Sequence, residues 1–279
     1  MKNFVLIILV CLSADSFAQL KKSCCSMSST EQFAMLATNE SFAISHHDPL
    51  PLNFTPSNGA MILYKTEDGV DANAFVVRAD HPTNNWIIMV HEWWGLNDYI
   101  KREAEKLQSE IGNAHVLAVD VYDGQTASVA ADAQKLMGEL KQERAVSIMN
   151  GAIRYTGSNS KLFTIGWCFG GGWSLQTSLL AGEQAAGCVM YYGMPETDPA
   201  KLKSLETDVL GIFARKDSWI NEEIVNKFTE DMKYVNKKLT VKWYDADHAF
   251  ANPSNPNYHH PSADEAHKTV LAFFKSRMK

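Results

Sequence analysis

Cysteine is scarce in this sequence, and so is charge of one sign. The 279 residues hold five cysteines, 26 basic and 32 acidic side chains, and a formal net charge of −6. No cluster of five basic residues occurs, which excludes the basic stripe of a nucleic-acid surface. Five cysteines in a chain this long make no dense disulfide framework. Beyond the N-terminus no apolar run approaches the roughly 20 residues of a membrane-spanning helix. The mature chain is therefore expected to lack an integral membrane segment. Zinc-ligand spacings such as HxxxH or HExxH are missing, because His46-His47 and His259-His260 fall in loop-like stretches beside Asp and Pro. No metal is expected. A G-x-S-x-G pentapeptide is missing as well, so no serine elbow is available.

The start, "MKNFVLIILVCLSADSFAQL", has a positive Lys2, an apolar run over residues 4–12 and a small-residue site at Ser16-Phe17-Ala18. That is the layout of a secretory signal peptide over residues 1–18, with a mature, exported chain starting near Gln19. Its removal takes Cys11 and leaves Cys24, Cys25, Cys168 and Cys188. Residues 19–58 are polar, contain proline and show no clear period, so they read as an irregular N-terminal arm. The adjacent Cys24 and Cys25 have no assigned role. Cys188, in "AAGCVMYYG", reads as a small hydrophobe in a core strand.

From residue 59 to 279 the pattern is regular and forms one domain. "MILYKTEDGVDANAFVVRAD" reads as two strands turned at Glu67-Asp68-Gly69. A continuous apolar strand follows in "WIIMVHE", and further strands in "AHVLAVDVY", "KLFTIGW", "AAGCVMYYG", "DVLGIFA" and "LTVKWYDA". Between them lie helical patterns, such as "YIKREAEKLQSEIG" with Ile100, Ala104, Leu107 and Ile111 on one face and Gly112 as a stop. Alternating strands and helices predict an α/β fold with a doubly wound, mostly parallel sheet covered on both faces. Ligands in such sheets sit at the carboxyl ends of strands, so the residues just after each apolar run matter most.

After "KLFTIGW" comes Gly166-Trp167-Cys168-Phe169-Gly170, a nucleophile elbow with sulfur in place of oxygen. A side chain at Gly166 or Gly170 would crowd such a turn, and the following helix N-terminus favours thiolate at Cys168. An elbow needs an orienting acid and then a base. Asp217 stands just past "DVLGIFA" and His248 just past "LTVKWYDA". Asp217 could equally cap a helix before "SWINEE", and His248 could be a surface-loop residue. An oxyanion hole would use the N–H of Phe169 and that of Trp93, in the loop after the first long strand. Glu92, one residue earlier, is an acid near the thiol and would raise its pKa.

Together "HEWWGLN", "GWCFGG", "RKD" and "DADHAF" resemble the dienelactone hydrolase family, cysteine-dependent members of the α/β-hydrolase fold, over roughly residues 60–279. The resemblance implies Cys168 as nucleophile, His248 as base, Asp217 as its orienter, and Glu92 as the acid that restrains the thiol until substrate arrives. It implies a cofactor-independent carboxylic ester or lactone hydrolase working through a thioester, on small molecules, as a monomer or dimer. The best-known members carry an arginine four residues after the histidine, where this chain has Asn252, and a second after the "VDVYDG" loop, where it has none. Without those clamps a different, more aromatic pocket is expected, lined by Trp94, Tyr122, Trp167 and Phe250. A thioesterase or acyl transferase on the same triad, and a non-catalytic exported binding protein, are the rival readings.

Overall fold

A computed structural model describes residues 27–278. The expected signal peptide and Cys24 and Cys25 lie outside the described residues. Within the arm, expected to be irregular, two short helices form: α1 (Ser29–Ala37) and α2 (Glu40–Ser45). Each has a local cause. Ser28 and Glu31 make a reciprocal capping box, and the Asn39 side chain accepts from the N–H groups of Ser41 and Phe42. Phe33, Ala37 and Phe42 are buried, so the arm belongs to the domain core. The domain therefore starts well before residue 59.

The strands are β1 (Gly59–Tyr64), β2 (Ala72–Val77), β3 (Asn85–Val90), β4 (His115–Val119), β5 (Lys161–Trp167), β6 (Ala185–Tyr191), β7 (Val209–Ala214) and β8 (Leu239–Tyr244). They form one sheet in the order β1-β2-β4-β3-β5-β6-β7-β8. β1 and β2 form the expected hairpin, Tyr64 opposite Ala72, and β2 runs antiparallel to β4; the remaining pairs are parallel. β3 and β7 are buried along their whole length, as continuous apolar strands require, while edge strand β8 alternates half-buried and exposed residues.

Helices cover the sheet: α3 (Asp98–Ile111), α4 (Ala130–Glu139), α5 (Gln142–Thr156), α6 (Phe169–Ala181), α7 (Pro199–Lys203), α8 (Glu222–Tyr234) and α9 (His260–Lys275). In α3 the apolar face seen in the sequence, Ile100, Ala104, Leu107 and Ile111, is the buried one. Asn97 caps its start and Gly112, at φ 73°, ends it. The short α7 has no counterpart in the sequence reading; Asp198 caps it through the Ala200 N–H, and Pro199 occupies its first turn.

The tightest backbone approach in the fold lies between β5, α6 and β3. A Cβ on Gly166 would stand 2.0 Å from the Gly170 carbonyl oxygen, and one on Gly170 2.3 Å from the carbonyls of Val90 and His91. These neighbours are backbone and cannot rotate away. Gly170→Ala should therefore destabilise the fold by about 3 kcal/mol or more, the upper range for overpacking. Gly138, exposed inside α4 with nothing within 4 Å of its absent Cβ, is the contrast. Gly138→Ala should stabilise by about 0.5–1 kcal/mol through helix propensity. Urea unfolding of both variants checks the opposite signs.

Candidate active site

The end of β5 and the start of α6 are one residue apart, and that residue is Cys168. Its backbone is at φ 56° and ψ −119°, a conformation L-residues rarely adopt. The absence of side chains at Gly166 and Gly170 allows that turn. The side chain is thereby lifted to the carboxyl edge of the sheet.

Two other strand ends deliver its partners. His248 Nε2 lies 3.4 Å from Cys168 Sγ, and His248 Nδ1 lies 2.6 Å from Asp217 Oδ2. All three residues are buried. Asp217 orients the imidazole and does not cap the helix weighed as its alternative. Its Oδ1 accepts from the N–H groups of Trp219 and Ile220, while Oδ2 holds the imidazole. The true cap of α8 is Asn221. Because a carboxylate only accepts, Nδ1 of His248 carries the proton and Nε2 faces the sulfur.

Electrostatics follow from burial. Burial pushes the Cys168 thiol up, against the pull of His248. Burial also opposes imidazolium at His248, yet the Asp217 carboxylate overrides it and lifts His248 well above its ordinary value. Burial would raise Asp217 too, but His248 and the two backbone donors bring it below the usual range.

The Phe169 N–H lies beside the Cys168 sulfur and lowers the thiol pKa against burial. Trp93 is buried in the loop after β3, its ring packed on Trp94. Glu92 forms no direct hydrogen bond to the sulfur among the described residues. Its Oε2 accepts instead from the Asn252 amide, while Asn252 Oδ1 accepts from the Ser254 N–H and hydroxyl. Burial raises Glu92 to about 7, with His248 and the amide pulling the other way. Asn252, at the position of the absent arginine, is thus the partner of Glu92.

A cavity of about 220 Å³ opens beside Glu92 and Asn252. Trp94 and Trp167 line it, together with Tyr191. Tyr122 and Phe250 do not, which corrects their assignment to the pocket. Tyr122 stacks on Phe169 with its hydroxyl on the Met137 sulfur. Phe250 is fully buried between Tyr192 and Tyr244, ordinary core packing.

One residue at the site escaped the sequence reading. His46, expected in a loop without function, lies directly after α2 with Nε2 3.8 Å from Cys168 Sγ. Its Nδ1 lies 2.7 Å from the Phe42 carbonyl oxygen, which can only accept, so Nδ1 carries the proton. Phe42 packs in turn on Trp93, Trp219 and His248. The arm therefore roofs the sulfur, which is 1% exposed. Burial and the neighbouring His248 lower His46 to about 3, so it is neutral. The signal lay in the two capping sequences, Ser28–Glu31 and Asn39, which predict helices where composition suggested none.

This sheet order with a strained residue between strand and helix defines an α/β-hydrolase fold. The family model for the dienelactone hydrolase family matches residues 72–278, and the chain belongs to that family of carboxylic ester hydrolases. It is 27% identical over 221 residues to Protein usf of Aquifex pyrophilus, covering 74% of this chain and 95% of that one. It is 25% identical over 199 residues to carboxymethylenebutenolidase 1 of Cupriavidus pinatubonensis, covering 66% and 80%. In structure it is similar to P91, a dienelactone hydrolase-like promiscuous phosphotriesterase from metagenomic libraries. That match has TM-score 0.67 and 17% identity, covering 80% of this chain and all of P91.

The raised Glu92 gives a stability signature with a definite sign. Between pH 4.5, the ordinary value, and about 7, the folded protein keeps a proton that the unfolded chain releases. Stability therefore falls as pH rises through that window and is fully reduced above it. The unfolding free energy of the parent minus that of Glu92→Gln should drop by on the order of 3 kcal/mol across the window. Urea unfolding at pH 4.5 and pH 7.5 measures it; a flat difference would contradict the assignment.

Proposed function

We propose that the protein hydrolyses small, uncharged esters or lactones through a Cys168–His248–Asp217 triad and a thioester intermediate. The single observation carrying this reading is the continuous chain from Asp217 Oδ2 through both imidazole nitrogens of His248 to Cys168 Sγ. His248 takes the thiol proton as the sulfur attacks the carbonyl, and Asp217 stabilises the imidazolium that forms. The oxyanion rests on the N–H of Phe169, joined by that of Trp93. The imidazolium then protonates the departing alkoxide or enolate. Water, deprotonated by His248, cleaves the thioester and returns the thiol.

Glu92 acts by charge. Its ionised form raises the thiol pKa through space, and protonation near neutrality relieves that restraint. One feature favours uncharged substrates: an amide, Asn252, stands where a carboxylate clamp would stand, and it is committed to Glu92. Export to the periplasm or medium, implied by the N-terminal sequence, agrees with a thiol shielded from oxidants by the arm.

Cys168→Ala should abolish hydrolysis of 4-nitrophenyl acetate while its far-UV dichroism and unfolding midpoint stay near the parent's. Intact-mass measurement on the parent should show a transient acetyl adduct at Cys168 during turnover. Turnover retained by the alanine variant would overturn the assignment.

A further inference from the structure

The site holds more basic nitrogen than an ester hydrolase needs. Cys168 Sγ faces two imidazole Nε2 atoms, at 3.4 Å from His248 and 3.8 Å from His46, and the three donor atoms lie within 4.8 Å of one another. We propose that these three atoms form a binding site for a thiophilic divalent cation, Zn²⁺ being the archetype, which locks the arm over the nucleophile.

Geometry supports it. Bonds of about 2.3 Å to sulfur and about 2.0–2.1 Å to nitrogen, opened to a tetrahedral angle, separate S and N by about 3.5 Å. The two observed sulfur–nitrogen separations bracket that value, and the two Nε2 atoms, within 4.8 Å of each other, close toward about 3.3 Å by rotation of the rings as the ion seats. A Cys-His-His set suits a borderline-soft ion and leaves a fourth position for water or an incoming oxygen ligand.

The surrounding hydrogen bonds support it independently. A metal-binding imidazole needs its other nitrogen held by an acceptor, which fixes the tautomer and aims the lone pair. Both rings meet that condition: His46 Nδ1–H donates to the Phe42 carbonyl at 2.7 Å, and His248 Nδ1–H to Asp217 Oδ2 at 2.6 Å. Both Nε2 atoms then converge on one thiol. Hydrolysis accounts for one of them. For the other, hydrolysis offers no proton to carry.

Binding proceeds without electron transfer. The cation forms one bond to sulfur and two to nitrogen, and the thiol proton is released to solvent. Because His46 follows α2, the metal would cross-link the arm to the elbow and the loop after β8. Hydrolysis would stop because the thiolate pair and the His248 base are both occupied. Separations of 122 and 80 residues in the chain explain why no ligand spacing marks the site.

The test reads spectra, so it stands apart from turnover. In the full chain carrying Cys24→Ser and Cys25→Ser, Co²⁺ titration should give a thiolate-to-cobalt charge-transfer band that saturates at one equivalent and is bleached by Zn²⁺. Cys168→Ala should lose the band, and His46→Gln should weaken binding at least about tenfold. No band at stoichiometric Co²⁺, or parent-like affinity in His46→Gln, would overturn the proposal. Because His46→Gln also removes ring contacts that hold the arm, a second measurement uses the intact histidine. Zn²⁺ should slow iodoacetamide alkylation of Cys168 at least tenfold, with EDTA restoring the rate; an unchanged rate in Zn²⁺ defeats it.

Discussion

Everything at this site hangs on a close backbone contact between the first turn of α6 and the end of β3. Gly170 packs against the carbonyls of Val90 and His91 so tightly that no methyl group fits. That contact fixes where α6 begins relative to the sheet. The residue between β5 and α6 must then reverse the chain in a single step, and Cys168 does so at φ 56°. The strain is localised at one residue because the strand before it and the helix after it are both buried. The same loop that carries Val90 and His91 continues into Glu92 and Trp93. One packing contact therefore sets the sulfur and its neighbouring acid in a common frame.

His91 shows how firmly that loop is held. Its Nδ1 lies 2.5 Å from the Glu92 carbonyl oxygen, and its Nε2 accepts from the Val121 N–H at 3.2 Å. The ring bridges the ends of β3 and β4, and burial keeps it neutral. Glu92 is thus anchored through its backbone on one side and through Asn252 on the other. An arginine in place of Asn252 would neutralise Glu92 by ion pairing and hold it ionised. A neutral amide leaves burial dominant, so the acid titrates near neutrality. The amide at position 252 thus tunes the acid beside the thiol.

Much of this was legible in the sequence because the relevant signals are local. The apolar runs gave each central strand, and the residues just beyond them, Cys168, Asp217 and His248, meet in space. Alternation of strands and helices fixes the sheet, and the sheet fixes which ends are neighbours. The pocket was less legible. Trp94 and Trp167 face the cavity, but Tyr122 and Phe250 do not, since an aromatic residue near a strand end packs inward or outward according to contacts the sequence does not order. The arm was misread for a different reason. Composition marks residues 27–58 as loop-like, whereas two caps and three buried side chains, Phe33, Ala37 and Phe42, outweigh it. His46 is found only once those helices fold onto α4 and α6.

The arm changes what must happen before the thiol can react. Phe33 and Phe42 each bury a full aromatic side chain, worth about 1.5–3 kcal/mol apiece. An arm held by roughly 4 kcal/mol would stand open about a thousandth of the time. The cavity wall at Glu92 and Trp167 comes close to the elbow without reaching the sulfur. On the proposed thioester route, an acyl group on Sγ would claim space now held by the His46 ring, through displacement of that ring or of its helix. The contacts of α1 and α2 would then set a free-energy cost on acylation that leaves the Cys168–His248–Asp217 geometry untouched. Substitutions in the arm and substitutions in the triad consequently act on different steps.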